Sequence, residues 1–250
     1  MMIQLKNAHQ ISIMKDAGRI TGEALALGGE LVKPGVTTEY IDSMIRQHIE
    51  KCGATPSFLG YGGFPASACI SINEQVIHGI PSESVVLKEG DIVKIDVGAY
   101  YKGFHGDSAN TFRCGKVSEL ADRLIEATKE SFMRGVEQIE SGKRIGDVGS
   151  AIEQRVLADS FSVVRDFVGH GVGKDLHESP EVPNYGRPGR GPRLVPGMVI
   201  AIEPMVCTGS GDVLVKKDGW TVVTKDGGLS AHYEHTVALT DNGVILLTAI

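Results

Sequence analysis

The strongest constraint on this chain is that it repeats itself. At an offset of 107 residues, Gly35, Ile41, Ile45 and Ile49 align with Gly142, Val148, Ile152 and Val156. At the same offset Leu87, Gly90, Ile95 and Asp96 align with Leu194, Gly197, Ile202 and Glu203. Each half also carries a His-x-x-Pro upstream of its acid, His78 to Pro81 and His177 to Pro180. The segments between do not align at that offset, so insertions and deletions must cancel. Two helices followed by a strand-rich unit, twice over, predict an α+β fold whose halves are related by an approximate two-fold axis. Neither 1–115 nor 116–250 has an independent boundary, so a single domain over 1–250 is expected.

Met14, Ala17, Thr21, Ala24 and Leu31 recur at helical spacing and predict a helix from Ala8 to Val32, ended by Lys33-Pro34-Gly35. A second helix is expected with Thr38 as its N-cap, Ile41, Met44, Ile45, His48 and Ile49 as its stripe, and Gly53 as its stop. Their counterparts are Ser118 to Ile139 and Ile145 to Leu157. Cys69 to Asn73 reads as a short strand. From Ile95 to Phe112, approached from Leu87, the pattern is a hairpin turning at Tyr101 to Gly103, with Val93, Ile95 and Val97 alternating with Ile92, Lys94, Asp96 and Gly98. Asp96 and Asp107 are then expected nearly opposite each other, where like charges repel. Such a pair is separated by solvent, shares a proton or binds a cation. The solvated pair is the plain alternative for this stretch alone; the repetition favours the cation.

A net charge of −6 and the lack of any Lys/Arg cluster argue against a nucleic-acid or anionic-membrane surface. Cys52, Cys69, Cys114 and Cys207 form no C-x-x-C pair, which disfavours a disulfide framework and fits a reducing cytoplasm. No apolar run reaches spanning length and the N-terminus lacks an export signal, so a cytoplasmic protein is expected, with no apolar surface helix that demands a partner.

Glu203 follows the apolar run Val199 to Ile202, and a carboxylate buried there is costly unless paired or metal-bound. Pro204 interrupts the ladder directly after it, as where a strand opens to a site. With Asp96, Asp107 and Glu234 this gives four acids on strands, two per half. The imidazole candidate is His170, inside Gly169-His170-Gly171-Val172-Gly173; no Lys-Ser or Lys-Thr follows, so this is not a phosphate loop. Four carboxylates and one imidazole suit two divalent ions, with Mn, Fe(II), Co and Zn all admissible. Between such ions a bridging water loses its proton near neutral pH and attacks a polarised carbonyl. His9 and His48 lie in helix patterns, His105 and His235 flank acids on strands, and His232 stays undecided.

The spacing of His78-Gly79-Ile80-Pro81, Asp96 and Asp107, Gly169 to Gly173 with His177-Glu178, Ile202-Glu203-Pro204 and Glu234-His235-Thr236 resembles the type I methionine aminopeptidases, in their short bacterial form, from the first helix to the C-terminus. The resemblance implies the pita-bread fold, with helices outside a curved antiparallel sheet. It also implies removal of initiator methionine from nascent chains and peptides whose second residue is small. In that family Asp96, Asp107, His170, Glu203 and Glu234 would hold the two ions, with Asp107 and Glu234 bridging them. His78 would position the scissile peptide, His177 would bind its carbonyl oxygen, and Glu203 would shuttle a proton. Phe58, Tyr61, Phe64, Cys69, Leu176 and Trp220 would line the methionine pocket. Asn73, Gln75 and Ser230 would supply oxygens to one Na or K ion. The substrate alone makes proximity to the ribosome an expectation, visible in no motif, and the lack of a long apolar surface helix makes a monomer one. Phe58, Gly62, Phe64 and Leu176 depart from common family residues and bear on pocket shape. Creatinase, prolidase and aminopeptidase P share the ligands but normally carry a further domain, and a peptide- or RNA-binding relative would normally lack several ligands.

Overall fold

The computed structural model describes residues 2–250. The first half contains helices α1 (Ala8–Glu30) and α2 (Thr38–Lys51), then strands β1 (Thr55–Pro56), β2 (Ala68–Ile72), β3 (Gln75–Ile77), β4 (Ile92–Tyr101) and β5 (Phe104–Arg113). The second half opens with α3 (Glu119–Val136) and α4 (Ile145–Ala158). It continues with β6 (Ser162–Val163), β7 (Gly169–Gly171), β8 (Glu178–Val182), β9 (Val199–Ile202) and β10 (Met205–Cys207). Last come β11 (Val213–Val215), β12 (Val222–Thr224), β13 (Ser230–His232), β14 (Glu234–Thr240) and β15 (Gly243–Leu246).

The repeat is written into the hydrogen bonds. Gly35 N donates to Leu87 O at 2.8 Å and Gly142 N to Leu194 O at 3.1 Å; Leu87 N donates to Val36 O at 2.9 Å and Leu194 N to Lys143 O at 2.7 Å. The isolated bridges Thr37 with Val86 and Arg144 with Arg193 keep the same offset. Gly35 and Gly142 both adopt positive φ, 89° and 97°, a conformation open to glycine at no steric cost.

A nine-stranded antiparallel sheet runs β1-β4-β5-β14-β9-β7-β8, with β2 on β4 and β15 on β14. The halves meet where β5 pairs with β14, Ala109 against Glu234 and Ser108 against His235. Two three-stranded sheets, β13-β10-β6 and β11-β12-β3, flank it, the second pairing first-half β3 with second-half β12. Helices cover one face. Ile20 and Ala24 of α1 and Ile41 and Ile45 of α2 pack with Val93, Ile95 and Val97 of β4. Phe132 of α3 and Val148 and Ile152 of α4 pack with Ile200, Ile202 and Val237. Each buried Val, Ile or Phe contributes roughly 1.5–3 kcal/mol, so these two matched cores hold the helices to the sheet and leave its other face for polar side chains. Close contact of α1 with β5 needs small residues: a Cβ on Gly106 would come within 2.9 Å of the Gly18 Cα.

Two local expectations need correction. The N-cap of α2 is Thr37, whose hydroxyl accepts from Tyr40 N, while Thr38 Oγ1 donates to Ser82 O. The turn of the central hairpin consists of Lys102 and Gly103 alone, with φ of 47° and 89°, the pair of positive values that a tight two-residue hairpin turn demands. That turn places Asp96 opposite Ala109 and Asp107 opposite Gly98, so the two acids are diagonal and not directly opposed.

Candidate metal centre

The hairpin register sets the first two acids, and the neighbouring strand sets the third. Ala109 pairs with Asp96 on one side and with Glu234 on the other, so two carboxylates flank a single buried methyl group. Directly paired residues point to the same face of a sheet, which puts both acids on the face away from the helices. Asp107 lies two residues earlier on β5, and its N–H and C=O are both held by the Thr236 hydroxyl, at 2.9 and 2.8 Å.

Glu203 is placed by a break in the strand. β9 pairs with β14 in the large sheet as far as Ile202, and β10 pairs with β13 from Met205 onward. Pro204, without an N–H, spans the change of sheet, and Asn184 Nδ2 holds the Glu203 carbonyl at 3.0 Å. The partner strand changes sheet at the same level, at Tyr233, whose N–H reaches Pro204 O at 3.3 Å. The sheet opens here, and Glu203 and Glu234 turn into the opening. His170 arrives on β7, which pairs with β9 through Gly171 and Ile200.

The side chains fit a cation. His170 Nδ1 lies 2.9 Å from Gly171 O, so the proton sits on Nδ1 and the Nε2 lone pair faces the acids. Nε2 is 3.5 Å from Glu203 Oε1 and 3.7 Å from Asp107 Oδ2. These are not ion pairs, because burial, with His177 nearby, pushes the imidazole pKa down to about 3. They are separations expected of donors that share an ion at about 2–2.2 Å from each. Ligand atoms of Asp107, His170 and Glu234 all lie within 4.8 Å of one another. Asp96 Oδ1 and Asp107 Oδ1 are buried without a hydrogen-bond partner. Burial pushes the Asp107 pKa up to about 7, against the pull of the Ser108 N–H and Asp96. Burial and neighbouring acids hold Asp96, Glu203 and Glu234 well above the ordinary carboxylate range. Such a set holds protons until a cation displaces them.

Beside the acids lies a cavity of about 80 Å³ lined by Phe58, Tyr61, Phe64, Cys69, Leu176 and Trp220, with His78 and His177 between these and the acids. Phe58, Phe64, Cys69 and Leu176 pack together as its apolar wall, with Trp220 against them. His78 adopts φ 58°, rare for a residue with a side chain, and its ring stands edge-on to Phe167 and Trp220. Burial pushes its pKa down to about 4, leaving it neutral. His177 is exposed at the rim, 2.8 Å through Nδ1 from the Tyr61 hydroxyl, and its ring centroid is 4.1 Å from that of His170. All five proposed metal-ligand residues, both histidines and all six pocket residues therefore converge.

Asn73, Gln75 and Ser230 cluster together outside the lining of that cavity. Ser230 Oγ donates to Gln75 O at 3.0 Å and Asn73 O at 3.3 Å. The carbonyl oxygens of Asn73 and Ser230 both accept from Lys94 Nζ. Two further residues were not singled out from sequence. His232, 1% exposed, has both ring nitrogens without a partner and lies 3.9 Å from Glu203 Oε2 and Glu234 Oε2. Lys94 is fully buried, and burial pushes its amine down to about 7. The alternation that puts Lys94 on the Asp96 face was the signal available for it.

Residues 12–241 match metallopeptidase family M24. A methionine aminopeptidase of Clostridium perfringens is 57% identical over 249 residues, covering 100% of each chain. The crystal structure of a methionine aminopeptidase from Thermotoga maritima superposes with a TM-score of 0.98 at 44% identity, covering 100% of each chain. A prolidase from Pyrococcus furiosus shares the fold, with a TM-score of 0.78 at 24% identity over 98% of this chain and 65% of that one. The fold is the pita-bread fold common to these structures.

Proposed function

The chain belongs to metallopeptidase family M24, and on that premise we propose that it removes the N-terminal methionine from nascent polypeptides and Met-starting peptides with a small second residue. The observation that carries this reading is the convergence of Asp96, Asp107, His170, Glu203 and Glu234 beside a cavity walled by Phe58, Phe64, Cys69, Leu176 and Trp220.

Asp96, Asp107, His170, Glu203 and Glu234 would hold two divalent ions, and the oxygen-rich set admits Co, Mn, Fe(II) or Zn. When bound, such ions make a water nucleophilic at neutral pH and polarise the scissile carbonyl. The protein supplies the rest. The aromatic wall takes up the methionine thioether, a polarizable group suited to ring edges, and excludes water from it. His78, neutral and fixed by its backbone, is placed to hold the scissile peptide. His177, oriented by the Tyr61 hydroxyl, donates through Nε2 to the carbonyl oxygen as it gains charge. The Glu203 carboxylate, ionised once a cation displaces its proton, would take a proton from the attacking water and pass it to the departing amine.

This reading treats 1–250 as one catalytic domain with its ligands drawn from both halves. Its substrates arise where chains leave the ribosome, and the reading therefore takes the protein to work in the cytoplasm near that exit, as a monomer. Incubation with Co(II) or Mn(II) and a Met-Ala-Ser peptide is expected to release free methionine. A folded sample that releases none under several metals would identify a peptide-binding module built on the same cleft.

A further inference from the structure

Lys94 is 1% exposed, one of the largest fully buried side chains in the protein. It stands on β4 opposite Thr111 of β5 and Ser71 of β2, on the same face as Asp96. Its Nζ donates to Asn73 O at 2.7 Å and to Ser230 O at 3.0 Å. These acceptors are themselves fixed. Ser230 N donates to Asn73 O at 3.1 Å, and the Asn73 side chain is clamped between Ile92 N at 3.0 Å and Asp91 at 2.9 Å.

Converging main-chain carbonyls are the ligands that hard cations use. At Asn73 and Ser230 the convergence is already filled, and the amine donates to both oxygens in either protonation state. The residues present therefore do not fit the Na or K ion that the resemblance assigns to Asn73, Gln75 and Ser230. We propose that Lys94 is a tethered replacement for that monovalent cation, a positioning residue that makes the protein indifferent to Na and K. The amine ties β4, where Asp96 lies two residues further on, to β13, which leads through Tyr233 into Glu234. It thus braces one acid from each half across the β5–β14 seam. The bracing of acids rests on the metallopeptidase reading; the ion indifference does not, and stability and ion binding test it without reference to activity.

Thermal unfolding of the full chain, divalent metal held constant, is compared in NaCl, KCl and choline chloride at one concentration. The wild-type curves are expected to coincide within about 1 °C, and a rise of about 3 °C or more specific to Na or K overturns the proposal. Sodium NMR line width is expected to be the same with and without the wild-type protein, and broadening that excess K reverses has the same overturning force. Lys94→Ala vacates the carbonyls. It is expected to gain about 3 °C in Tm from Na or K over choline, and at least about fivefold in methionine release at equal divalent metal content. A folded Lys94→Ala protein that remains indifferent to both ions shows that the amine merely satisfies two buried carbonyls, and the proposal falls. If Lys94→Ala does not fold, the two wild-type measurements still decide.

Discussion

The two halves place their acids by opposite means. In the first, β4 and β5 run unbroken for ten residues each and are joined by two, so Asp96 and Asp107 are positioned by register alone. In the second, the corresponding strands are cut: β9 gives way to β10 at Glu203-Pro204, and β13 to β14 at Tyr233. The excursion from Cys207 to Ser230 lies between them and carries β11, β12 and Trp220, whose ring reaches the cavity. A duplicated scaffold needs one rigid copy to hold geometry. The other copy is then free to open the sheet and to add Leu176 and Trp220 to a wall that the first supplies with Phe58, Phe64 and Cys69.

The sharpest test of the rigid copy is Asp107→Asn, which keeps the Thr236 hydrogen bonds to the main chain but loses a carboxylate. Turnover of a Met-Ala-Ser peptide is expected to fall by about a thousandfold or more with the thermal transition nearly unchanged, since the carboxylate removed is the one proposed to be shared by two ions. Near-wild-type activity would end its proposed bridging role.

Gly103→Val attacks the turn at φ 89°. The loss expected in urea unfolding is about 2–3 kcal/mol, from a β-branched residue forced to positive φ. Gly219→Val, at a turn of similar positive φ in the excursion of the open copy, should cost a similar amount of stability but leave metal affinity unchanged, because that excursion sets no acid register. Equal losses in metal affinity for both variants would contradict the contrast between the halves.

Metal binding should be linked to pH through the acids. A carboxyl whose pKa is raised to about 7, as Asp107's is by burial, keeps its proton in the folded, metal-free protein below that pH. A cation must displace that proton, so affinity is expected to weaken as pH falls below 7, about tenfold per unit for each proton released. His170, pushed down to about 3 by burial, releases none in that range. Calorimetry in buffers of different ionisation enthalpy counts the protons; a count of zero at pH 6.5 would contradict the raised acids.

The smallest effect separates the helix starts. Thr37 caps α2 with its side chain, whereas at α4 the Asp147 carboxylate accepts from Arg144 N at 2.8 Å, so the bond runs the other way. Thr37→Ala should destabilise by about 1 kcal/mol and Arg144→Ala by under about 0.5 kcal/mol in denaturant titrations.

Helices, repeat and acid set were legible because each leaves a period or a paired position in the chain. Helices α2 (Thr38–Lys51) and α4 (Ile145–Ala158) keep the 107-residue offset at both ends. The diagonal relation of Asp96 and Asp107 was not legible, because register depends on whether two or three residues form the turn, and Tyr101 is as good a turn neighbour as a strand end. Nor could the surroundings of His232 and Lys94 be read, since His232 faces Glu203 and Glu234 only because both strands change sheet there, and Lys94 depends on an acceptor brought from the other half. Lys94 looks like any charged residue on an alternating strand until Ser230 arrives from 136 positions away.

The seam between β5 and β14 has a consequence for biosynthesis. Asp96 and Asp107 are synthesised well before Glu203 and Glu234, and Ala109 cannot meet Glu234 until β14 of the second half has been made. A product truncated before β14 would therefore lack Glu234 and the seam, and would remain a scaffold without its full acid set.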